Sequence, residues 1–159
     1  MKISIQKFSG KSPVITCTRD NGSITWQSYG NQGKFFPLHD LTHFVLETEL
    51  EYRNAFFGMI ASGRDLNDFG SGDAATFHPE AVHAEMLAGL LSAVGGNGSN
   101  LSYEAIKETI DIKSQEAGIP PMVLTEKQFG SIRQQTQKLI DEWNRLPQED
   151  ALVLTFIIR

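Results

Sequence analysis

The chain has a single cysteine, no long apolar run and no excess of positive charge. One cysteine, Cys17, excludes an intramolecular disulfide and fits a reducing compartment. It lies in Val14-Ile15-Thr16-Cys17-Thr18, where it reads as a small buried hydrophobe. The opening residues 1–7 alternate apolar and polar side chains instead of building the apolar centre of a signal peptide. No apolar run approaches the roughly 20 residues of a membrane helix. These absences predict a cytoplasmic protein that makes no membrane contact. The formal charge of −5 lacks the concentrated basic surface that nucleic acid requires, so no nucleic-acid partner is expected. That charge is uneven. Residues 1–38 hold Lys2, Lys7, Lys11, Arg19 and Lys34 against Asp20 alone, a local +4, which reads as the solvated face of a sheet.

Also missing are a Gly-x-x-x-x-Gly-Lys-Ser/Thr phosphate loop, a Gly-x-Gly-x-x-Gly turn after a strand, and a Gly-x-Ser-x-Gly nucleophile elbow. What is present is an ordinary globular balance of 40% hydrophobic and 21% charged residues over 159 positions. That length predicts one domain, residues 1–159, with a substantial core.

Alternation over residues 2–8 predicts a half-buried strand. Residues 14–19 and 23–28 flank Asp20-Asn21-Gly22, and an Asn-Gly pair supplies the positive φ angles of a tight hairpin. A helix is expected over about 40–61, with Asp40 as N-cap and Gly63 as the left-handed residue after it. An irregular loop follows over 65–76. A second helix should begin at Pro79 and run to about Val94, stopped by Gly95-Gly96-Asn97-Gly98. A third would be capped by Ser102 and end near Gly118. A fourth begins at Thr125, where Gln128 completes capping-box spacing, with Phe129, Ile132, Leu139, Trp143 and Leu146 as its apolar stripe. Beyond Pro147, residues 152–158 are apolar on both faces and read as a central strand covered on each side. Its partners must be the N-terminal strands. The expected fold is therefore α+β, an antiparallel sheet closed by the two chain ends with about four helices packed against it.

The chemistry concentrates in four histidines. His39, His43 and Glu47 recur every four residues and share one face of a helix. In the next helix, Glu80 and His83 stand three apart, the spacing helix bundles use to hold metals between facing helices. Imidazoles with carboxylates at these spacings suit zinc, nickel or iron. The expected ligands are His39, His43 and His83, with Glu47 or Glu80 completing the sphere or acting as a base on bound water. His78, ahead of Pro79, is held extended and reads as a loop or cap residue. Glu51 continues the row of polar residues toward solvent.

The span from about Phe35 to Gly70, through Phe36-Pro37-Leu38-His39-Asp40-Leu41-Thr42-His43-Phe44 and Phe56-Phe57-Gly58, resembles a group of uncharacterised bacterial proteins. Trp143-Asn144-Arg145-Leu146-Pro147 before an apolar strand is similar to the same group. That group has no assigned activity, so the resemblance implies no function. His39-Asp40-Leu41-Thr42-His43 also resembles the first half of the His-Asp-x-x-His zinc motif of the ubiquinone-assembly family, with Ala55 at the place of that family's distant glutamate. Asp40 also replaces the glutamate of His-Glu-x-x-His zincins. Two functions follow as expectations. One is a divalent-metal-binding protein with hydrolytic chemistry, acting on a small molecule or a protein. The other is a non-catalytic structural or interaction domain, with Phe35-Phe36 as a partner or homodimer surface.

Overall fold

The computed structural model describes residues 1–69, 78–92 and 101–158. Strand β1 (Lys2–Phe8) alternates as its sequence requires, so Ile3 and Ile5 point to one face and are fully buried. Strand β2 (Lys11–Thr18) lies antiparallel to it, placing Ile3 opposite Cys17 and Ile5 opposite Ile15. Burial pushes the Cys17 thiol up to about 12, helped by the charge of Asp40, so this cysteine is the packed hydrophobe its neighbours suggest. The hairpin forms as a three-residue loop, Asp20-Asn21-Gly22, in which only Gly22 takes the positive φ expected of both Asn21 and Gly22. Gly22 sits at φ +83° and its N–H donates to the Arg19 carbonyl at 2.9 Å, leading into β3 (Ile24–Ser28).

The C-terminal strand β4 (Ala151–Thr155) pairs antiparallel with β1, giving the order β3-β2-β1-β4. The two ends of the sequence thus close the sheet. The expected central position of β4 is corrected, however. β4 takes the free edge of β1, and no described strand lies beyond it. Leu152 and Leu154 turn toward the core, whereas Val153 is 51% exposed and Ile157 63%. An apolar run is compatible with a buried strand but does not require one.

Five α-helices among the described residues pack against the sheet and one another, because the helix expected over 40–61 is two. Helix α1 (Phe36–Glu49) begins four residues earlier than Asp40, with Pro37 in its first turn, where the missing N–H costs nothing. The chain leaves it through Glu51 at φ +55° and re-enters helix as α2 (Phe56–Ala61). Gly58 makes this elbow feasible. A Cβ there would stand 2.3 Å from the Arg53 carbonyl oxygen. Gly63 follows α2 at φ +118°, as its position predicts.

Helix α3 (Pro79–Ser92) begins at the expected proline, and its expected end at Gly95-Gly96-Asn97-Gly98 lies outside the described residues. In helix α4 (Tyr103–Glu116) the cap is Ser102, whose Oγ accepts from the Ala105 N–H. Helix α5 (Glu126–Arg145) opens with the full Thr125–Gln128 capping box. No helix among the described residues is long and apolar enough to cross a membrane.

Two apolar clusters result. One lies under the sheet, where Ile3, Ile5 and Ile15 meet Leu41, Phe57 and Trp143. The other fills the space between helices, around Leu46, Leu87, Ile110 and Ile132. Each fully buried Leu or Ile contributes roughly 1.5–3 kcal/mol. Helix α1 serves both clusters, with Leu41 in one and Val45 and Leu46 in the other. The helix carrying His39 and His43 is therefore fixed on more than one side.

Candidate metal centre

One turn of α1 separates His39 from His43, and their Nε2 atoms stand 3.2 Å apart. The third member of the cluster comes from α3. Glu85 Oε2 lies 3.4 Å from His39 Nε2, and Glu85 Oε1 lies 3.3 Å from His43 Nε2. One ligand atom from each of the three falls within 4.8 Å of the others. Ligands held at about 2.0–2.1 Å around a tetrahedral zinc ion stand about 3.3 Å from one another. The two imidazole nitrogens are spaced in this way, and Glu85 comes as near to each of them, though through a different carboxylate oxygen.

Behind this trio, His43 Nδ1 faces Glu47 Oε1 at 3.1 Å, and both side chains are buried. Glu47 Oε2 accepts from the N–H groups of Phe57 and Gly58, at 2.9 and 3.1 Å. These belong to the first turn of α2, whose donors have no partner within their own helix. Glu47 therefore caps α2 and orients His43 at once. This is the carboxylate–histidine arrangement that fixes which imidazole nitrogen points at a metal.

Burial opposes charge on His43, but hydrogen bonds to Glu47 and Glu85 and the charges of both outweigh it, carrying the imidazole up to about 10. Burial likewise raises the Glu47 carboxyl, with His43 and the two amides pulling the other way. Partial burial works against the Glu85 carboxylate, yet its bonds to both histidines hold it well below the usual carboxylate range. Solvent screens part of that effect, since the side chain is 63% exposed.

Of the five residues expected at the site, the structure brings together His39 and His43, with Glu47 behind them. His83 and Glu80 are corrections. His83 is buried on another side of α3, where its Nε2 pairs with Ser114 Oγ of α4 at 3.1 Å. Residues two apart on a helix point about 200° apart, so Glu85 can meet α1 only if His83 does not. Glu80 Oε2 accepts from the backbone N–H groups of Arg53 and Asn54 at 2.8 and 2.6 Å, tethering the α1–α2 elbow to α3.

Asp40 is no N-cap. It is buried within α1 and accepts from the Tyr29 hydroxyl at 2.7 Å, with burial pushing it up to about 6. His78 does act as a local cap, its Nδ1 accepting from the Glu80 N–H at 3.3 Å. Glu85 was the residue missed. The available signal is the small residues on its face, Ala81 and Ala88, both buried, which let α3 approach α1 closely.

The trio is sheltered on one side and open on another. Side-chain exposure rises from 2% at His43 through 14% at His39 to 63% at Glu85. Phe35 stacks on the His39 ring at 5.6 Å, and Phe56 tilts against His43 at 5.7 Å. Three candidate ligands with an open side would leave positions for water or substrate on an ion held there, unlike the closed four-ligand sphere of a structural zinc. Comparison with protein-family models, curated proteins and solved structures finds no match to this chain.

Proposed function

We propose that the protein binds one divalent cation, zinc, nickel or iron, through His39, His43 and Glu85, and uses the open positions of that ion for hydrolytic chemistry on a small molecule or a protein. Two imidazoles and one carboxylate form the ligand set of zinc hydrolases and of non-haem iron sites. An ion there would lower the pKa of a bound water toward neutrality and polarise a substrate oxygen. Glu47 is the positioning residue in this reading, and the fully buried Cys17 suits a reducing cytoplasm.

The observation that carries the proposal is the convergence of two imidazole nitrogens and one carboxylate on a common space. Each Nε2 offers a single in-plane position, either a proton or a lone pair. Yet each faces two partners at 3.2–3.4 Å. One proton cannot point well at both, whereas one cation serves all three groups. A second reading has its own support. Glu47 and Glu85 favour a protonated His43, so the cluster can also satisfy itself as an ion-paired network in a non-catalytic domain.

Elemental analysis of untagged protein, with calorimetric titration of zinc, nickel and ferrous iron, separates the two. The metal reading expects about one ion per chain and at least a tenfold affinity loss in Glu85→Gln. Less than about a tenth of an ion per chain after incubation, or a Glu85→Gln protein that binds like wild type, leaves the ion-paired network.

A further inference from the structure

Away from the histidine cluster, an open cleft of about 910 Å³ lies between the β1–β2 turn, the loop after β3 and the end of α5. Its charged lining is of one sign. Lys7, Lys11 and Lys34 face it and no carboxylate does, in a chain whose net charge is −5. Three of the five cations in the basic N-terminal stretch are thus gathered around one space, not spread over a solvated sheet face.

The cleft is held in shape by its own backbone. Ser12 Oγ donates to the Gly30 carbonyl, the Tyr29 N–H donates to the Pro13 carbonyl at 3.1 Å, and Gly33 sits so close to the Pro13 ring that a Cβ would meet it at 2.7 Å. These contacts fasten the Lys34 loop to the strand bearing Lys11. Lys7 donates to the carbonyls of Trp143 and Leu146 at 2.6 and 2.8 Å, satisfying the end of α5. The same ammonium stands 4.8 Å from the Trp143 ring centroid, so Lys7 contributes its fixed charge to the cleft and not a free donor. Lys11 and Lys34 are exposed, and no carboxylate among the described residues pairs with either. The nearest acid in sequence across the cleft, Glu149, is committed to the turn, its Oε1 accepting from the Ser9 N–H at 2.7 Å.

Like charges held around one space repel, and a bound anion relieves that repulsion. Lysine is a point-charge binder of phosphate, and its mobile ammonium adapts to a tetrahedral group. We infer that this cleft binds a small phosphate-bearing molecule through Lys7, Lys11 and Lys34. Phe8 and Leu38, which also line it, offer apolar surface to the organic part of such a ligand. None of His39, His43 or Glu85 lines the cleft, so this inference does not depend on a bound metal.

The test is calorimetric titration of the full chain, dialysed free of metal, with pyrophosphate and with citrate at constant ionic strength. Saturable pyrophosphate binding is expected, about tenfold or more tighter than citrate. The double variant Lys11→Ala/Lys34→Ala should weaken it at least about tenfold, while Lys113→Ala on α4 and Glu85→Gln leave it unchanged. Circular dichroism of the double variant checks that it folds, and charge-conserving Lys11→Arg/Lys34→Arg should retain binding. The inference is overturned by the absence of saturation, by citrate binding as well as pyrophosphate, by a folded double variant that binds like wild type, or by loss of binding in Glu85→Gln.

Discussion

His43 and His83 are both buried imidazoles on helices that pack together, yet their surroundings differ. His43 stands between two carboxylates, Glu47 and Glu85, with the Nε2 of His39 as a third neighbour. His83 meets a serine hydroxyl, with a further hydrogen bond to the Pro120 backbone. The carboxylates carry His43 up to about 10, whereas burial, the largest influence on His83, lowers it. A neutral imidazole needs one donor and one acceptor nearby, and His83 has a hydroxyl and a carbonyl. Two carboxylates and a second imidazole offer His43 more acceptors than it has protons. Surplus acceptors on a common point are what a cation satisfies, so partner chemistry separates the two more sharply than burial does.

The harshest way to break this contrast is His43→Ala. It strands the fully buried Glu47 with no partner on Oε1. Removing one member of a buried pair costs roughly 3–5 kcal/mol. Urea denaturation should register that loss, and metal uptake should vanish with it. A variant as stable as wild type would mean that Glu47 does not need the imidazole.

A smaller perturbation sharpens the same side. Glu47→Gln keeps the shape and one acceptor for the α2 amides but replaces the carboxylate facing His43. Loss of such an orienting group typically weakens metal affinity 10–100-fold, and the disturbed buried network should cost roughly 1–3 kcal/mol of stability. Titration calorimetry and urea melts read the two effects separately. A stability loss with affinity intact would reduce Glu47 to a helix cap.

What the sequence made legible follows the range of the interaction. The Thr125–Gln128 box and the Ser102 cap are settled within about four residues and form as read, and the hairpin at Gly22 forms too, though with Gly22 and not Asn21 at positive φ. His39 and His43 share a face because helix geometry alone requires it. Which face of α3 meets α1 is a matter of packing, however, and the spacing of Glu80 and His83 carried no information about it. The small residues Ala81 and Ala88 around Glu85 carried more. Reading one helix through residues 40–61 failed for a related reason. The break is held by Glu47 and Glu80, distant acids that accept the backbone donors of the elbow and of α2. Their bonds cross between elements and leave no periodic trace. The apolar β4 misled in another way, since composition does not distinguish an edge strand from a central one.

The gentlest test acts on the other histidine. Because burial depresses the pKa of His83 in the folded chain, the unfolded state takes up a proton at a higher pH than the folded state does. Its contribution to stability is therefore complete above the ordinary histidine value of about 6.5 and declines as pH falls below it. The groups facing it are Ser114, the Pro120 backbone, Asp111 and Lys107, and the two charges act in opposite directions. Replacing His83 by Gln keeps a polar partner for Ser114, so at neutral pH the cost should be only about 1 kcal/mol. The variant should then lose stability less steeply than wild type between pH 6.5 and pH 5, with metal uptake unchanged. If His83→Gln instead abolished metal binding while remaining folded, the imidazole facing Ser114 would have to leave that pairing to reach the cluster. The assignment of Glu85 in its place would then fall.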